Sequence, residues 1–132
     1  MKKITSPRIP VTRGLKDIYA MDMHLAYHAA CAGQLNVTLF SRLAAAIAVI
    51  RTALAQKQTN IPNAIETLDT AIEILVAVKK KGDEAAVWEI VESERPAVID
   101  GIIMAEECIG TLDVALLEQT AQKLLQILPQ PE

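Results

Sequence analysis

The sequence is poor in aromatic residues, and most of its apolar content is aliphatic or alanine. Only 3% of the 132 residues are aromatic, whereas 52% are hydrophobic. β-Sandwiches and barrels favour aromatic and β-branched side chains, so this composition is typical of packed helices. It predicts an all-α fold and excludes disorder over most of the chain, because enough apolar surface is present to build a core.

Cysteine is scarce, and long apolar runs are absent. The only two cysteines, Cys31 and Cys108, form neither a CxxC pair nor a disulfide framework, which favours a reducing compartment. The longest uncharged apolar run, Leu43–Ile50, is too short to span a bilayer. The N-terminal sequence MKKITSPRIP has no apolar segment after its charges, so we expect no signal peptide. We therefore expect a cytoplasmic protein with no membrane partner.

Motifs for catalysis and cofactor binding are missing as well. The sequence contains no GxGxxG, P-loop, GxSxG or HExxH motif. Glu106 and Glu107 beside Cys108 are compatible with acid–base chemistry, but adjacent carboxylates on a helix are more often a solvated edge. We expect a protein that is not an enzyme and that binds no cofactor.

Apolar residues recur at three- and four-residue spacing, which is the pattern of amphipathic helices. Short links between these segments predict an antiparallel bundle of five or six helices, forming a single domain over residues 12–132. Residues 1–11 contain two prolines and predict a short, non-helical, extended basic arm. The predicted core stripes are Ile18, Met21, Leu25 and Ala32; Phe40, Leu43, Ile47, Ile50 and Leu54; Ile61, Ile65, Leu68, Ile72 and Leu75; and Val114, Leu117, Ala121, Leu124 and Leu128.

Capping residues predict where the first three helices begin and end. The first is predicted to begin after Thr12 or Asp17 and to end at Gly33, and the second to cover residues 37–57. The third is predicted to run from an Asn60 cap to Gly82, where three lysines fill its last turn.

The fourth segment is interrupted by Pro96. Asp83 and Glu84 are predicted to open a helix that includes residues 87–91. Ser93 can cap a fresh helix that has Pro96 in its first turn and runs to Ile109, or one long helix kinks at the proline. Thr111 is predicted to cap the last helix.

Charge is distributed unevenly along the chain. Residues 1–57 carry eight Lys or Arg and two acidic residues, whereas residues 58–132 carry five and fourteen. The acidic stretch 83–107, with eight carboxylates, is interpreted as the solvated face of a helix. A basic arm can contact phosphates or an acidic partner, although no aromatic side chain is interleaved for base stacking. The candidate partner-binding residues are Lys2, Lys3, Arg8, Arg13 and Lys16.

One group of residues has the spacing of a metal site. His24, His28 and Cys31 project from one face of the first helix, and imidazole and thiolate groups bind zinc and other transition metals. His28 and Cys31 can equally border an apolar stripe, and the Glu-x-x-His motif of di-iron bundles is absent. We therefore expect no metal and keep these three residues as a weak candidate.

These patterns favour a non-catalytic protein–protein interaction or regulatory module built on a helical bundle. Its high apolar content predicts a homo-oligomer, with the Ala-rich helix 37–57 contributing to the contact. Two alternatives remain. One is a nucleic-acid-associated regulator that uses the basic arm, and the other is a metal-binding bundle that uses His24, His28 and Cys31.

Overall fold

A computed structural model of the chain describes residues 13–57, 61–112 and 114–127. Within these ranges the chain forms five α-helices and no strand, which confirms the predicted all-α bundle. The predicted arm, residues 1–11, lies outside the described residues. The helices are α1, Arg13–Cys31; α2, Val37–Lys57; α3, Ala64–Ala85; α4, Arg95–Ile109; and α5, Val114–Ile127.

Helix α2 is the helix that contacts each of the other four. Helices α1 to α4 form a ring in which each packs on the next and α4 returns to α1, while α5 packs on α2. The predicted apolar stripe of α2 is buried throughout, as its alternating three- and four-residue spacing requires. Its members are Phe40, Leu43, Ile47, Ile50 and Leu54.

Local backbone and side-chain interactions end α1 and begin α2 near the predicted residues. Gly33 adopts a left-handed conformation (φ 73°) just after α1, and the Gln34 amide donates to the Ala29 carbonyl at 2.7 Å. Such a glycine ends a helix because it has no Cβ to clash in this conformation. The Asn36 side chain then accepts from the Leu39 amide at 2.9 Å, which caps the first turn of α2.

Helix α2 is also the one segment in the described part of the chain that is long and apolar enough to cross a membrane, over Val37–Gln56. Length and composition are the only basis for that match, and the core helix of a bundle meets the same criterion. Here the segment packs against all four other helices.

Helix α3 begins later than predicted. Asn63, rather than Asn60, precedes its first residue, and Asn63 has a left-handed backbone (φ 60°). Because a left-handed residue cannot be part of a right-handed helix, α3 cannot extend back beyond Asn63. Residues 61–63 form a turn instead. The Thr67 amide donates to the Asn63 carbonyl at 2.9 Å and starts the helical ladder.

The predicted end of α3 at Gly82 is wrong. The helix continues through Asp83 and Glu84 to Ala85, and Ala86 takes the left-handed conformation (φ 57°) that ends it. Gly82 is buried, and a Cβ at this position would overlap the indole ring of Trp88. Gly82 therefore allows the indole to approach the helix, a tertiary requirement that local capping rules do not include.

The predicted helix over residues 87–91 is also absent, because this segment connects α3 to α4 without helical structure. Trp88 packs on Phe40 with ring centroids 5.1 Å apart, and Ile90 is fully buried. The Arg95 guanidinium donates to the Ile90 carbonyl at 3.1 Å. These contacts hold an irregular loop against the bundle.

Helix α4 is a fresh helix with Pro96 in its first turn, so the kinked-helix alternative is wrong. Ser93 does not cap it: Ser93 lies in a short 3₁₀ turn, Glu92–Glu94, and no side chain caps the helix at Glu94. Thr111 donates its hydroxyl to the Cys108 carbonyl at 2.7 Å, in the last turn of α4.

Helices α3 and α4 approach each other closely. The buried residues of α3 include Ala64 and Ala71 beside the predicted Leu68 and Leu75, while Ile61, Ile65 and Ile72 are only half-buried. A Cβ added to Gly101 of α4 would lie 2.5 Å from the Ala71 Cβ. Small residues on both helices therefore replace part of the aliphatic stripe that the spacing predicted.

The variant Gly82→Ala tests the Trp88 contact. We expect it to destabilise the protein by about 1–3 kcal/mol, because the new methyl group overlaps the indole. This loss exceeds the gain of roughly 1 kcal/mol that alanine brings to a helix interior. Urea unfolding followed by circular dichroism measures the net change in the free energy of unfolding.

Two controls isolate the cause. Gly110→Ala should cost little, since the nearest atom to its new Cβ is 3.8 Å away and its backbone has an ordinary φ of −65°. In a Trp88→Ala background, Gly82→Ala should no longer destabilise. An equal loss in both backgrounds would contradict this account of Gly82.

Candidate functional site

The prediction for the core face of α1 is wrong. Ala32 lies beyond the end of the helix, and the other three members of the predicted stripe face solvent. Their exposed fractions are 58% for Ile18, 68% for Met21 and 50% for Leu25. Because they are spaced by three and four residues, they form one continuous line on the helix surface. We call this line the α1 ridge.

The buried face of α1 combines one methionine with two alanines. Met23, Ala26 and Ala30 are buried, and Tyr19 and Tyr27 pack against the core at its border. Met23, Ala26 and Ala30 are also spaced by three and four residues, so spacing alone does not distinguish this face from the predicted one. Ala26 and Ala30 let α1 lie close to its neighbours on this face.

An open groove of about 670 Å³ lies against the outer face of α2. Helices α1 and α3 provide its sides, and Ala121 of α5 also contributes to the lining. Small and aliphatic side chains predominate in it. Its main described lining residues are Ile18 and Tyr19 of α1, Ala45 and Ala48 of α2, and Ile72 and Val76 of α3. We call this feature the α2 groove.

Three charged residues are among the described lining of the α2 groove: Asp22, Arg42 and Lys79. The Lys79 ammonium pairs with Asp83 on its own helix at 2.5 Å. Arg42 is exposed and makes no ion pair with another described residue. Burial, and then the Asp22 carboxylate, raise the pKa of Tyr19 above its ordinary value, so this phenol stays protonated at neutral pH.

The α1 ridge and the α2 groove form a single apolar surface, because Ile18 belongs to both. Val76, on the opposite side of the groove, is 63% exposed. Contiguous exposed apolar surfaces are often binding sites, whereas isolated exposed aliphatic residues are common and need no explanation. This surface is therefore the candidate site.

The candidate metal residues have other contacts. The Nε2 atom of His24 lies 2.5 Å from Oε1 of Glu106 and so links α1 to α4. Burial, and then a hydrogen bond with Cys31, raise the pKa of the Tyr27 phenol. The His24 and His28 rings are 6.5 Å apart. Among the residues that the structure describes, no three His, Cys, Asp or Glu side chains are grouped as metal ligands.

Chelation is therefore expected to leave the melting temperature unchanged, since the apolar core forms without a metal. The His24→Ala/His28→Ala variant should lose about 1 kcal/mol or less, because the His24–Glu106 pair is partly exposed. Thermal melting with and without EDTA measures both effects. A fall of many degrees under both treatments would instead support the metal-binding alternative.

The basic candidate residues are only partly described. Lys2, Lys3 and Arg8 lie outside the described residues, and Arg13 is the first residue of α1. The Lys16 ammonium lies 3.8 Å from the position that a Cβ on Gly110 would occupy. Lys16 is thus beside the C-terminal end of α4, where the helix dipole favours a cation.

The acidic stretch does not act as one uniform surface, since some of its members have partners. Glu106 contacts His24, and Asp83 contacts Lys79. Cys108, next to Glu106 and Glu107, is fully buried. Burial, and then the Glu107 carboxylate, raise the pKa of the Cys108 thiol to about 11, which opposes any role as a nucleophile at neutral pH.

The two cysteines should therefore differ in reactivity. Cys31 is exposed, whereas at pH 8 a thiol with a pKa of about 11 is only about 0.1% thiolate. Because the pKa of Cys108 is raised, its reactivity should increase only as the pH approaches that value. Labelling with iodoacetamide at pH 8 should modify Cys31 rapidly and Cys108 only in denaturant. Equal labelling rates in the native protein would contradict the burial of Cys108.

No protein-family model, no curated protein and no solved structure matches this chain. The α1 ridge and the α2 groove are consequently the features from which a function can be inferred.

Proposed function

We propose that this chain is a non-catalytic, cytoplasmic protein–protein interaction or regulatory module that binds its partner through the α2 groove and the α1 ridge. The observation that carries the proposal is the contiguous exposed apolar surface, which includes Ile18, Met21 and Leu25 of α1 and Val76 of α3. Water contact with this surface is unfavourable, so a partner that covers it gains free energy from apolar burial.

A protein partner fits this surface better than a small molecule does. A small apolar ligand could fill a groove of about 670 Å³, but Met21 and Leu25 are not among its lining residues. Such a ligand would leave two of the three ridge residues exposed to water. An amphipathic helix or a folded partner covers the groove and the ridge together.

The lining of the α2 groove supports a non-catalytic role. Neither histidine nor cysteine is among the described lining residues, and alanine, valine and isoleucine make up most of it. Of its charged residues, Lys79 is already paired with Asp83. This chemistry suits the burial of apolar side chains more than proton transfer or nucleophilic attack.

The variant Ala45→Arg tests the groove as a binding surface. Ala45 is exposed and lines the groove, so a long charged side chain there should obstruct a partner while changing stability by only about 0.5 kcal/mol. We expect the tagged variant to lose proteins that co-purify with the wild-type chain, as quantified by mass spectrometry. Ala55→Arg is the matched control, because Ala55 is exposed on the same helix but is not among the groove residues.

Two results would count against the groove. If Ala45→Arg retains the same proteins as the wild type, the groove is not the binding surface. The second result concerns nuclease treatment. If nuclease removes the co-purifying proteins from the wild type and from Ala45→Arg alike, the nucleic-acid alternative is favoured instead.

A further inference from the structure

We propose that the occupant of the α2 groove is the α1 ridge of a second copy of this chain, in a dimer with two-fold symmetry. This inference rests on the function proposed above, and it names the partner and the contact. It follows from three properties of the described surface: its shape, the position of its two parts, and its charge.

The shapes are complementary. Ile18, Met21 and Leu25 have the spacing by which an amphipathic helix inserts its side chains into an apolar groove. On the other side of the contact, Ala45 and Ala48 allow a second helix to approach α2 closely. One chain thus carries both the apolar line of a helix and a groove of the kind that receives one.

The position of the two parts suits a closed dimer. Since Ile18 belongs to both, the α1 ridge and the α2 groove lie side by side on one face of the protein. A two-fold axis at their boundary places the ridge of each copy in the groove of the other. Both apolar surfaces are then covered in both copies, and no free ridge or groove remains to add a third chain.

The charges are also complementary. Asp22 directly follows Met21 of the ridge, and Asp17 directly precedes Ile18, so acidic residues border the ridge. Asp22 also lines the groove, together with the basic residues Arg42 and Lys79. Because Lys79 is already paired with Asp83, Arg42 is the groove cation that a partner's carboxylate can meet. When one copy's ridge enters the other copy's groove, carboxylates approach cations, which favours this arrangement over one that pairs like charges.

A charge exchange tests the contact between Asp22 and Arg42. Asp22→Arg alone brings two arginines together at each of the two symmetric contacts, and Arg42→Asp alone brings two aspartates together. Each variant should weaken dimerisation about tenfold or more in sedimentation equilibrium. An equimolar mixture should dimerise with nearly wild-type affinity, because both contacts in the mixed dimer again pair opposite charges.

Matched controls separate this contact from a change in net charge. Glu118→Arg and Lys80→Asp make equivalent changes at exposed positions that are not among the described groove residues. Neither should alter dimerisation, alone or mixed. Circular dichroism of each variant should show unchanged helix content, since Arg42 is exposed and Asp22 is half-exposed.

The dimer proposal is overturned if the wild-type chain remains monomeric up to about 100 µM, a concentration at which even a weak specific dimer is populated. It is also overturned if the wild type dimerises but the mixture of the two charge variants does not. In either case, the proposed function still stands if the Ala45→Arg variant no longer co-purifies with a protein other than this chain. If Ala45→Arg also co-purifies with the same proteins as the wild type, both proposals are wrong.

Discussion

The packing of α2 against all four other helices is the interaction on which the rest of the bundle depends. Leu43, Ile47, Ile50 and Leu54 are completely buried, and burial of each such side chain contributes about 1.5–3 kcal/mol. Few aromatic rings are available to fill larger spaces, so neighbouring helices must approach closely. The Gly101–Ala71 contact between α3 and α4 is an example. The α2 groove lies where Ala45 is exposed and Ala44 and Ala48 are only half-buried on α2.

Helix α1 carries apolar residues on two sides, and the two sides have different surroundings. Its inner face, with Met23, Ala26 and Ala30, is satisfied by the bundle. Its outer face retains the larger Ile18, Met21 and Leu25 in water, an unfavourable position in an isolated chain. Exposure of these three side chains does not stabilise the fold of one copy, and the proposed dimer would cover them.

Sequence patterns were sufficient where the determining interactions are local. Gly33 and Asn36 act through their own backbone and side chain, and α2 has the predicted bounds. At Gly82 the deciding contact comes from Trp88, six residues away and outside the helix. For the candidate site, spacing located the apolar residues of α1 but not the face that is buried. That choice depends on the other helices that pack against α1, which no pattern within α1 contains.

The contact between Trp88 and Phe40 connects the α2 groove to a spectroscopic property of the chain. Trp88 is the only tryptophan, and Phe40 both packs on its indole and lines the groove. A molecule that fills the groove to its floor therefore reaches the indole through a single intervening ring. Indole emission depends on the polarity and motion of its surroundings, so a change in Trp88 emission is the expected optical signature of a molecule that displaces Phe40 in the groove.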